Sequence, residues 1–202
     1  MEGEGGAVLL ILDRDTIPPN AQYCDADVAY VLLYLKKHGH TSRKDLLIYL
    51  GLGEGSFRSL VGIMKASKLI KTSKKGMTLD FNGECLVKSL RIRPVEVDLK
   101  FALGTYRQAI KVISPVKKIT DGVDQVRMST MFGGVGCSTW IMSEHNSLLM
   151  PPSLDYSIAN LDESKMITDV ADMHPGDVLL VCGADTERSA RVAAMMVALD
   201  LI

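Results

Sequence analysis

Basic and hydroxyl side chains are concentrated in one stretch of the chain, where they could bind the phosphates and base edges of a nucleic acid. Residues 53–66 place apolar side chains at helical spacing, which predicts a helix with one exposed face. Donors on such a face can contact base edges, which carry the sequence information. The donors available here are Ser56, Arg58, Ser59 and Lys65. The sequence therefore predicts residues 53–66 as a recognition helix.

A second set of cations lies on either side of this helix. Residues 71–77 predict the basic turn of a hairpin, or wing. Phosphate contacts supply most of the affinity of proteins for DNA. The candidate phosphate ligands are Arg43, Lys44, Lys71, Lys74 and Lys75. Together the two sets predict double-stranded DNA as the partner.

One acidic residue opposes this interpretation. Glu54 stands at the front of the predicted helix, where it repels phosphate unless it pairs with Arg58 or accepts a hydrogen bond from a cytosine amino group. Gly53 suits the helix cap, and Gly55 and Ser56 add little bulk, so the helix front could approach another surface closely. Because fold does not imply function, docking of an acidic protein on the winged helix is an alternative.

The second half of the chain offers weaker candidates for chemistry. A glycine between a predicted strand and helix could bind phosphate, but Asp185 and Glu187 at that helix front would repel an anion. Cys137 or Cys182 could pair with His174 as nucleophile and base, yet no local motif supports this pairing. No cysteine and histidine pair has the spacing typical of metal ligands. We therefore predict no catalytic residue, metal or cofactor.

The elements around the recognition helix predict a winged helix-turn-helix. Residues 25–37 have an apolar face with acids at the front and lysines at the rear, which predicts a first helix. Ser42 and Asp45 form a capping-box-like start for a second helix. After the hairpin, Asn82 and Gly83 predict a break before a short closing helix. This order of elements can place the third helix in a major groove, with the wing against the backbone.

The positive charge of this chain is local. The 202 residues have a net charge of only −1. Residues 20–90 contain 11 Lys and Arg against six Asp and Glu, which gives +5, whereas the segments before and after each carry −3.

Four cysteines far apart in the sequence predict reduced, mostly buried side chains. Lacking a secretory signal or a spanning apolar segment, the sequence favours a cytoplasmic location without membrane contact.

The second half predicts a small mixed α+β domain. Residues 91–94 predict a linker, and a hairpin about residues 144–146 predicts antiparallel pairing. The clearest unit is a buried strand at residues 178–182 followed by a helix. The other predicted elements are strands at 95–103 and 106–114 and a helix at 119–131.

Three segments resemble an uncharacterised archaeal family of winged-helix proteins. The run TSRKDLLIYLGLGEGSFRSLVGIMKASKLIKTSKKGMTLDFNGECL resembles its winged helix, in which a Leu-Gly-Glu-Gly-Ser turn precedes an arginine-bearing helix. The runs MPPSLDY and HPGDVLLVCGADTERSARVAAMMVAL resemble its second domain, which is of unknown function. The resemblance implies the fold and a regulatory role, and it implies no catalytic residues.

These observations predict an α+β protein with three segments: residues 1–19 as an N-terminal tail or extra strand, residues 20–93 as a winged-helix domain, and residues 94–202 as a sensor or dimerisation domain. We expect a homodimeric transcriptional regulator that binds double-stranded DNA, because a single short recognition helix reads few bases. A small-molecule effector is a further candidate partner. The alternatives are a protein-docking module and a small-molecule-binding enzyme that uses the C-terminal domain.

Overall fold

The chain folds into two compact units, of which the first ends at Leu90 and the second begins at Arg91. The computed structural model describes residues 11–12, 21–97, 99, 103–116 and 119–202. Of the predicted N-terminal tail or strand, only Ile11 and Leu12 are therefore described. Their backbone N–H groups donate to Oδ1 of Asp25 at 2.9 and 2.7 Å.

The first unit is a winged helix, as the sequence predicts. Its elements are α1 (Asp25–His38), α2 (Arg43–Leu50), α3 (Glu54–Ala66), β1 (Ile70–Ser73), β2 (Gly76–Leu79) and α4 (Phe81–Ser89). Strands β1 and β2 pair antiparallel from Ile70 opposite Leu79 to Ser73 opposite Gly76. Helices α2 and α3 each bury one face, whereas α1 is buried on all sides over residues 25–32, and the buried side chains form an apolar core. Its largest buried side chains are Leu32, Leu35, Leu46, Phe57, Leu60 and Met64.

The predicted break at Asn82 and Gly83 is wrong, because α4 already begins at Phe81. The Asp80 carboxylate accepts a hydrogen bond from the Phe81 N–H at 2.9 Å and so caps this earlier start. Asn82 donates its side-chain amide to the Ser67 carbonyl oxygen. A Cβ atom on Gly83 would lie 2.0 Å from the Leu69 carbonyl oxygen. Glycine is therefore needed here for close helix packing, not for a chain break.

The wing is fixed to the segment that precedes α2. Thr41 and Met77 exchange backbone hydrogen bonds of 3.0 and 2.8 Å, which form a single antiparallel bridge to the hairpin. Gly76 has a φ of +120°, and a Cβ atom there would lie 2.6 Å from the Thr41 carbonyl oxygen. Only glycine fits this position without a shift of the backbone.

The second unit is built on one six-stranded sheet with the strand order β3-β4-β8-β5-β6-β7, in which every neighbouring pair is antiparallel. The strands are β3 (Ile92–Val95), β4 (Tyr106–Val112), β5 (Gly136–Met142), β6 (Leu148–Met150), β7 (Leu154–Asp155) and β8 (Val178–Ala184). The helices are α5 (Val123–Met131), α6 (Tyr156–Ala159), α7 (Leu161–Ala171) and α8 (Glu187–Leu199). This confirms a mixed α+β domain with the predicted hairpin between β5 and β6.

Helices cover both faces of the sheet. Leu179 and Val181 of β8 join a core that includes Trp140 of β5 and Ile167 of α7. Because side chains alternate along a strand, the residues between them point to the other face, where α5 and α8 contact β4, β5 and β8. All seven residues of β8 are consequently buried.

Two predictions in this unit are wrong. Residues 91–94 do not form a linker, because Ile92–Val95 pairs with β4 as a sheet edge. Of the predicted strand at residues 95–103, Glu96 and Val97 lie outside any strand, and residues 98 and 100–102 are outside the described residues. The linker prediction for residues 91–94 failed because a short edge strand that contains a proline resembles a linker in sequence.

Helix boundaries in this unit also differ from the sequence prediction. The helix predicted from residue 119 begins at Val123, because Gly122 adopts a left-handed conformation and the Asp121 carboxylate accepts a hydrogen bond from the Val123 N–H. Helices α6 and α7 were not predicted. No single helix in the described ranges is long and apolar enough to span a membrane, although α2 and α3 together, with a bend of 113° between them, reach that length and composition.

Candidate functional site

One side of α3 is exposed along its whole length. Phe57, Leu60, Val61 and Met64 point into the core, as the helical spacing predicts. The exposed residues recur at intervals of three and four and form a continuous strip. We call this strip, which comprises Glu54, Gly55, Arg58, Gly62 and Lys65, the α3 face.

Two glycines on the α3 face have no packing role within the described structure. A Cβ atom added to Gly55 or Gly62 would meet no described atom within 4 Å. Glycine in an exposed helix interior costs about 1 kcal/mol relative to alanine. Gly62, in the middle of α3, carries this cost without any steric need. Its effect is to let another surface approach the helix backbone.

The front of the α3 face contains an ion-pair network. The Glu54 Oε1 atom lies 2.7 Å from Nη2 of Arg43 and 3.7 Å from Nη2 of Arg58. The Arg43 guanidinium also stacks 5.1 Å from the centre of the Phe57 ring. The sequence suggested pairing with Arg58, but only the fold brings Arg43 to the same carboxylate. One acid therefore partly neutralises two of the predicted phosphate and base ligands.

The two predicted serine ligands lie together on one side of the α3 face. Ser56 and Ser59 are three positions apart in the helix, and both are half-buried. The Ser59 Oγ atom lies 2.8 Å from the hydroxyl of Tyr23, a residue that is only 5% exposed. The Ser59 hydroxyl therefore helps to pack α3 within the first unit.

The predicted wing cations are displayed at the tip of a tight turn. Lys74 and Lys75 lie between β1 and β2, and the Ser73 hydroxyl accepts a hydrogen bond from the Lys75 N–H. Lys71 on β1 and Lys44 on α2 are also exposed. In the described part of the chain, these four lysines and Lys65 make no ion pair. Their charge is available to a partner.

The acids of the first unit mostly serve its own helices. Asp27 caps α1 through the Cys24 N–H, and Asp45 accepts a hydrogen bond from Ser42 at the start of α2. Asp80 caps α4, and Glu84 forms an exposed pair with Lys36. Helix N–H groups partly compensate the negative charge of the capping carboxylates. The lysines without ion pairs therefore dominate the charge around the wing.

The second unit contains an open cleft of about 300 Å³ between the start of α5, strand β5 and the end of β6. Its lining includes Asp121, Val123, Val126, Cys137, Thr139 and Met150. Thr139 is 4% exposed, and its hydroxyl has no hydrogen-bond partner among the described residues. Buried hydroxyls normally have a partner.

A buried ion pair lies at the other end of strand β8. Lys111 of β4 is 2.8 Å from the Asp177 carboxylate, and both side chains are almost fully buried. Asp177 also accepts hydrogen bonds from the N–H groups of Ser114 and His174, and Lys111 donates to the Asp172 carbonyl oxygen. This ion pair was not predicted from the sequence. The available signal was a lysine within an apolar strand.

The fold does not bring together the cysteines and the histidine that were weighed as a nucleophile and base. His174 precedes the start of β8 and lies beside Asp172 and Asp177, at 3.9 and 3.8 Å. Cys182 is near the opposite end of β8, where it stands opposite Cys137 of β5. The sheet therefore separates the histidine from both thiols.

Comparison with known families gives a match for the second unit alone. Residues 103–201 match DUF4443, a domain of unknown function. A solved structure of a hypothetical protein from Pyrococcus horikoshii OT3 is 24% identical, with a TM-score of 0.68 over 89% of this chain and 93% of that one. A search of curated proteins finds no match.

The resemblance described from the sequence is confirmed in part, because the second unit matches a domain of unknown function and the structural neighbour is a hypothetical protein. The structural similarity concerns the fold, and it covers most of both chains. Because the DUF4443 match begins at residue 103, it leaves the winged helix outside the matched domain. Any functional assignment therefore depends on the surfaces described above.

Proposed function

We propose that the protein is a cytoplasmic regulator that binds double-stranded DNA through the α3 face and the wing. Two observations on the same unit support this proposal. Arg58, Gly62 and Lys65 form an exposed strip on α3, and Lys74 and Lys75 of the wing make no ion pair with a described residue. Guanidinium and ammonium groups bind phosphates and guanine edges. The exposed glycines would let the groove wall approach the helix backbone.

The two parts of this surface have different roles in the proposal. Arg58 lies on the second turn of α3 and would reach base edges in the major groove. Lys74 and Lys75 would contact phosphates, which fix position without reading sequence. Two copies of the chain would supply two recognition helices, and the second unit is the proposed place of dimerisation.

The direct test is the binding of the full-length protein to mixed duplex fragments, measured by fluorescence anisotropy across a salt series. We expect the logarithm of the binding constant to fall linearly with the logarithm of the salt concentration, because binding releases counterions from phosphates. Absence of binding at low salt contradicts the proposal. Recovery of one stoichiometric protein partner after nuclease treatment would favour protein docking instead.

Replacing Gly62 with alanine is expected to stabilise α3 and weaken DNA binding at the same time. Alanine should raise the local stability of the helix by about 0.5–1 kcal/mol, since it restricts the unfolded chain. The added methyl group would meet the approaching groove wall and lower the affinity. Hydrogen exchange of the α3 amides measures the first effect, and anisotropy measures the second. Unchanged affinity in the stabilised variant contradicts close approach at this position.

Replacing Glu54 with glutamine is expected to raise the affinity for duplexes in general. The change keeps the side-chain size but removes a charge that repels phosphate and holds Arg43 and Arg58. Loss of one repulsive charge should increase affinity roughly 3- to 10-fold at low salt. The matched control, Glu84→Gln, removes an exposed carboxylate of α4 that pairs with Lys36 and should leave affinity unchanged. Weaker binding to all duplexes by Glu54→Gln contradicts this account.

The cleft of the second unit is the proposed site for a small-molecule effector. Its wall combines apolar side chains with the unpartnered Thr139 hydroxyl, which suits a small, mostly apolar molecule with one polar group. A thermal-shift screen of the full chain with metabolites tests binding. Turnover of a bound compound would favour the enzyme alternative.

A further inference from the structure

Two of the four cysteines, 45 positions apart in sequence, meet across the central sheet. Cys137 of β5 and Cys182 of β8 are directly opposite each other in the antiparallel register. Both face the side of the sheet on which α5 and α8 lie. The neighbouring Cys182 thiol and burial raise the pKa of Cys137 well above its usual value.

The register places the pair in the geometry that a disulfide needs. Met142 of β5 donates its N–H to the Asp177 carbonyl oxygen, and hydrogen-bonded pairs recur at every second residue of an antiparallel ladder. Cys137 is an odd number of positions from Met142 and therefore belongs to a pair without backbone hydrogen bonds. Such pairs have Cα atoms about 4.5 Å apart, within the range of about 4.4–6.8 Å seen for disulfides.

One of the two cysteines lines the open cleft. Cys137 is half-buried and lines the cleft described above, whereas Cys182 is fully buried. A small oxidant that enters the cleft would therefore meet Cys137 first. Cys182 is then positioned as the resolving thiol.

We propose that Cys137 and Cys182 form a redox modification site, which closes to a disulfide when a small hydroperoxide enters the cleft. The Cys137 thiolate attacks one peroxide oxygen, the O–O bond breaks, and water or an alcohol leaves after taking up the thiol proton. The product is a sulfenic acid on Cys137. The Cys182 sulfur then displaces its oxygen, the S–S bond forms, and a second water carries away the remaining proton. The two thiols lose two electrons in total, which the peroxide accepts.

The raised pKa of Cys137 determines how this site behaves. A thiol reacts as its thiolate, so a raised pKa keeps Cys137 unreactive until the oxidant is abundant. The exposed Cys85 on α4 is a competing target for the same oxidant. The test must therefore remove the competing thiols.

The test uses the full chain carrying Cys24→Ser and Cys85→Ser, treated with hydrogen peroxide and then denatured and alkylated. We expect the loss of two hydrogen atoms by mass, no alkylation of either remaining cysteine, and a peptide joining Cys137 to Cys182. Dithiothreitol should restore both alkylation sites. The oxidised form should also unfold at a temperature several degrees higher, followed through Trp140, because the disulfide closes a long loop.

Two results would overturn the proposal. Both thiols could remain alkylatable after peroxide treatment, or Cys137 could acquire oxygen atoms without a bond to Cys182. Because the measurement leaves both cysteines in place, it does not depend on the folding of a core variant. Cys182→Ala in the same background is the control, and it should retain oxidation at Cys137 without any intramolecular disulfide.

Discussion

Replacing Lys74 and Lys75 with alanine is expected to lower the affinity for all duplexes by the same factor. Both side chains are exposed at the wing tip and lack ion pairs in the described part of the chain. Loss of two phosphate contacts should reduce the salt slope by about 2 and the affinity by roughly 60-fold near about 0.1 M salt. Anisotropy titrations on several duplexes at each salt concentration measure both quantities.

The contrasting variant is Arg58→Ala, which should change the preference among duplexes because a bidentate arginine contact discriminates bases by about 1–3 kcal/mol. The control is Lys88→Ala with Lys165→Ala, which removes the same charge from α4 and α7. If the wing variant and this control bind equally well, the wing is not part of the interface.

Replacing Lys111 with methionine is expected to lower the stability of the second unit by about 3–5 kcal/mol. The Asp177 carboxylate is almost fully buried, and the loss of Lys111 leaves its charge without a cationic partner at 2.8 Å. The backbone N–H groups of Ser114 and His174 remain, but they do not neutralise a charge. Denaturant unfolding followed by tryptophan fluorescence measures the effect, because Trp140 is the sole tryptophan and lies in this core.

A matched surface pair provides the control for that experiment. Arg127 and Asp124 of α5 form an ion pair of 3.4 Å, with side chains 71% and 61% exposed. Arg127→Met should change stability by less than about 1 kcal/mol, because exposed pairs are screened by water. Equal losses in the two variants would show that burial does not govern the energy of the Lys111 pair. The double variant Lys111→Met/Asp177→Asn should recover part of the loss by removing the isolated charge.

The elements of the winged helix depend mainly on residues that are close together in the sequence, and they were predicted from it. The recognition helix at residues 53–66 was predicted within one residue of α3, because helical periodicity depends on neighbours three and four positions apart. The wing followed from a basic turn between two short extended runs. Capping at Ser42 was predicted for the same local reason. These features together predict the winged helix.

Other features depend on contacts between distant residues, and the sequence alone did not reveal them. The edge strand Ile92–Val95 acquires its backbone partners only when β4 lies beside it. Gly83 was interpreted as a break because its true neighbour, the Leu69 carbonyl oxygen, is 14 residues away. Short apolar runs and glycines carry no local mark of such partners.

Some features of the candidate site were likewise predicted from the sequence, and others depend on the fold. The sequence by itself determined which cations could contact a nucleic acid, since the types and spacing of Arg58, Lys74 and Lys75 follow from one helix and one hairpin. Only the tertiary structure decided that Glu54 holds Arg43 as well as Arg58, and that Cys137 stands opposite Cys182. The physical reason is that ion pairing and thiol contact require separations of a few ångströms. Chain folding, rather than sequence spacing, sets those separations.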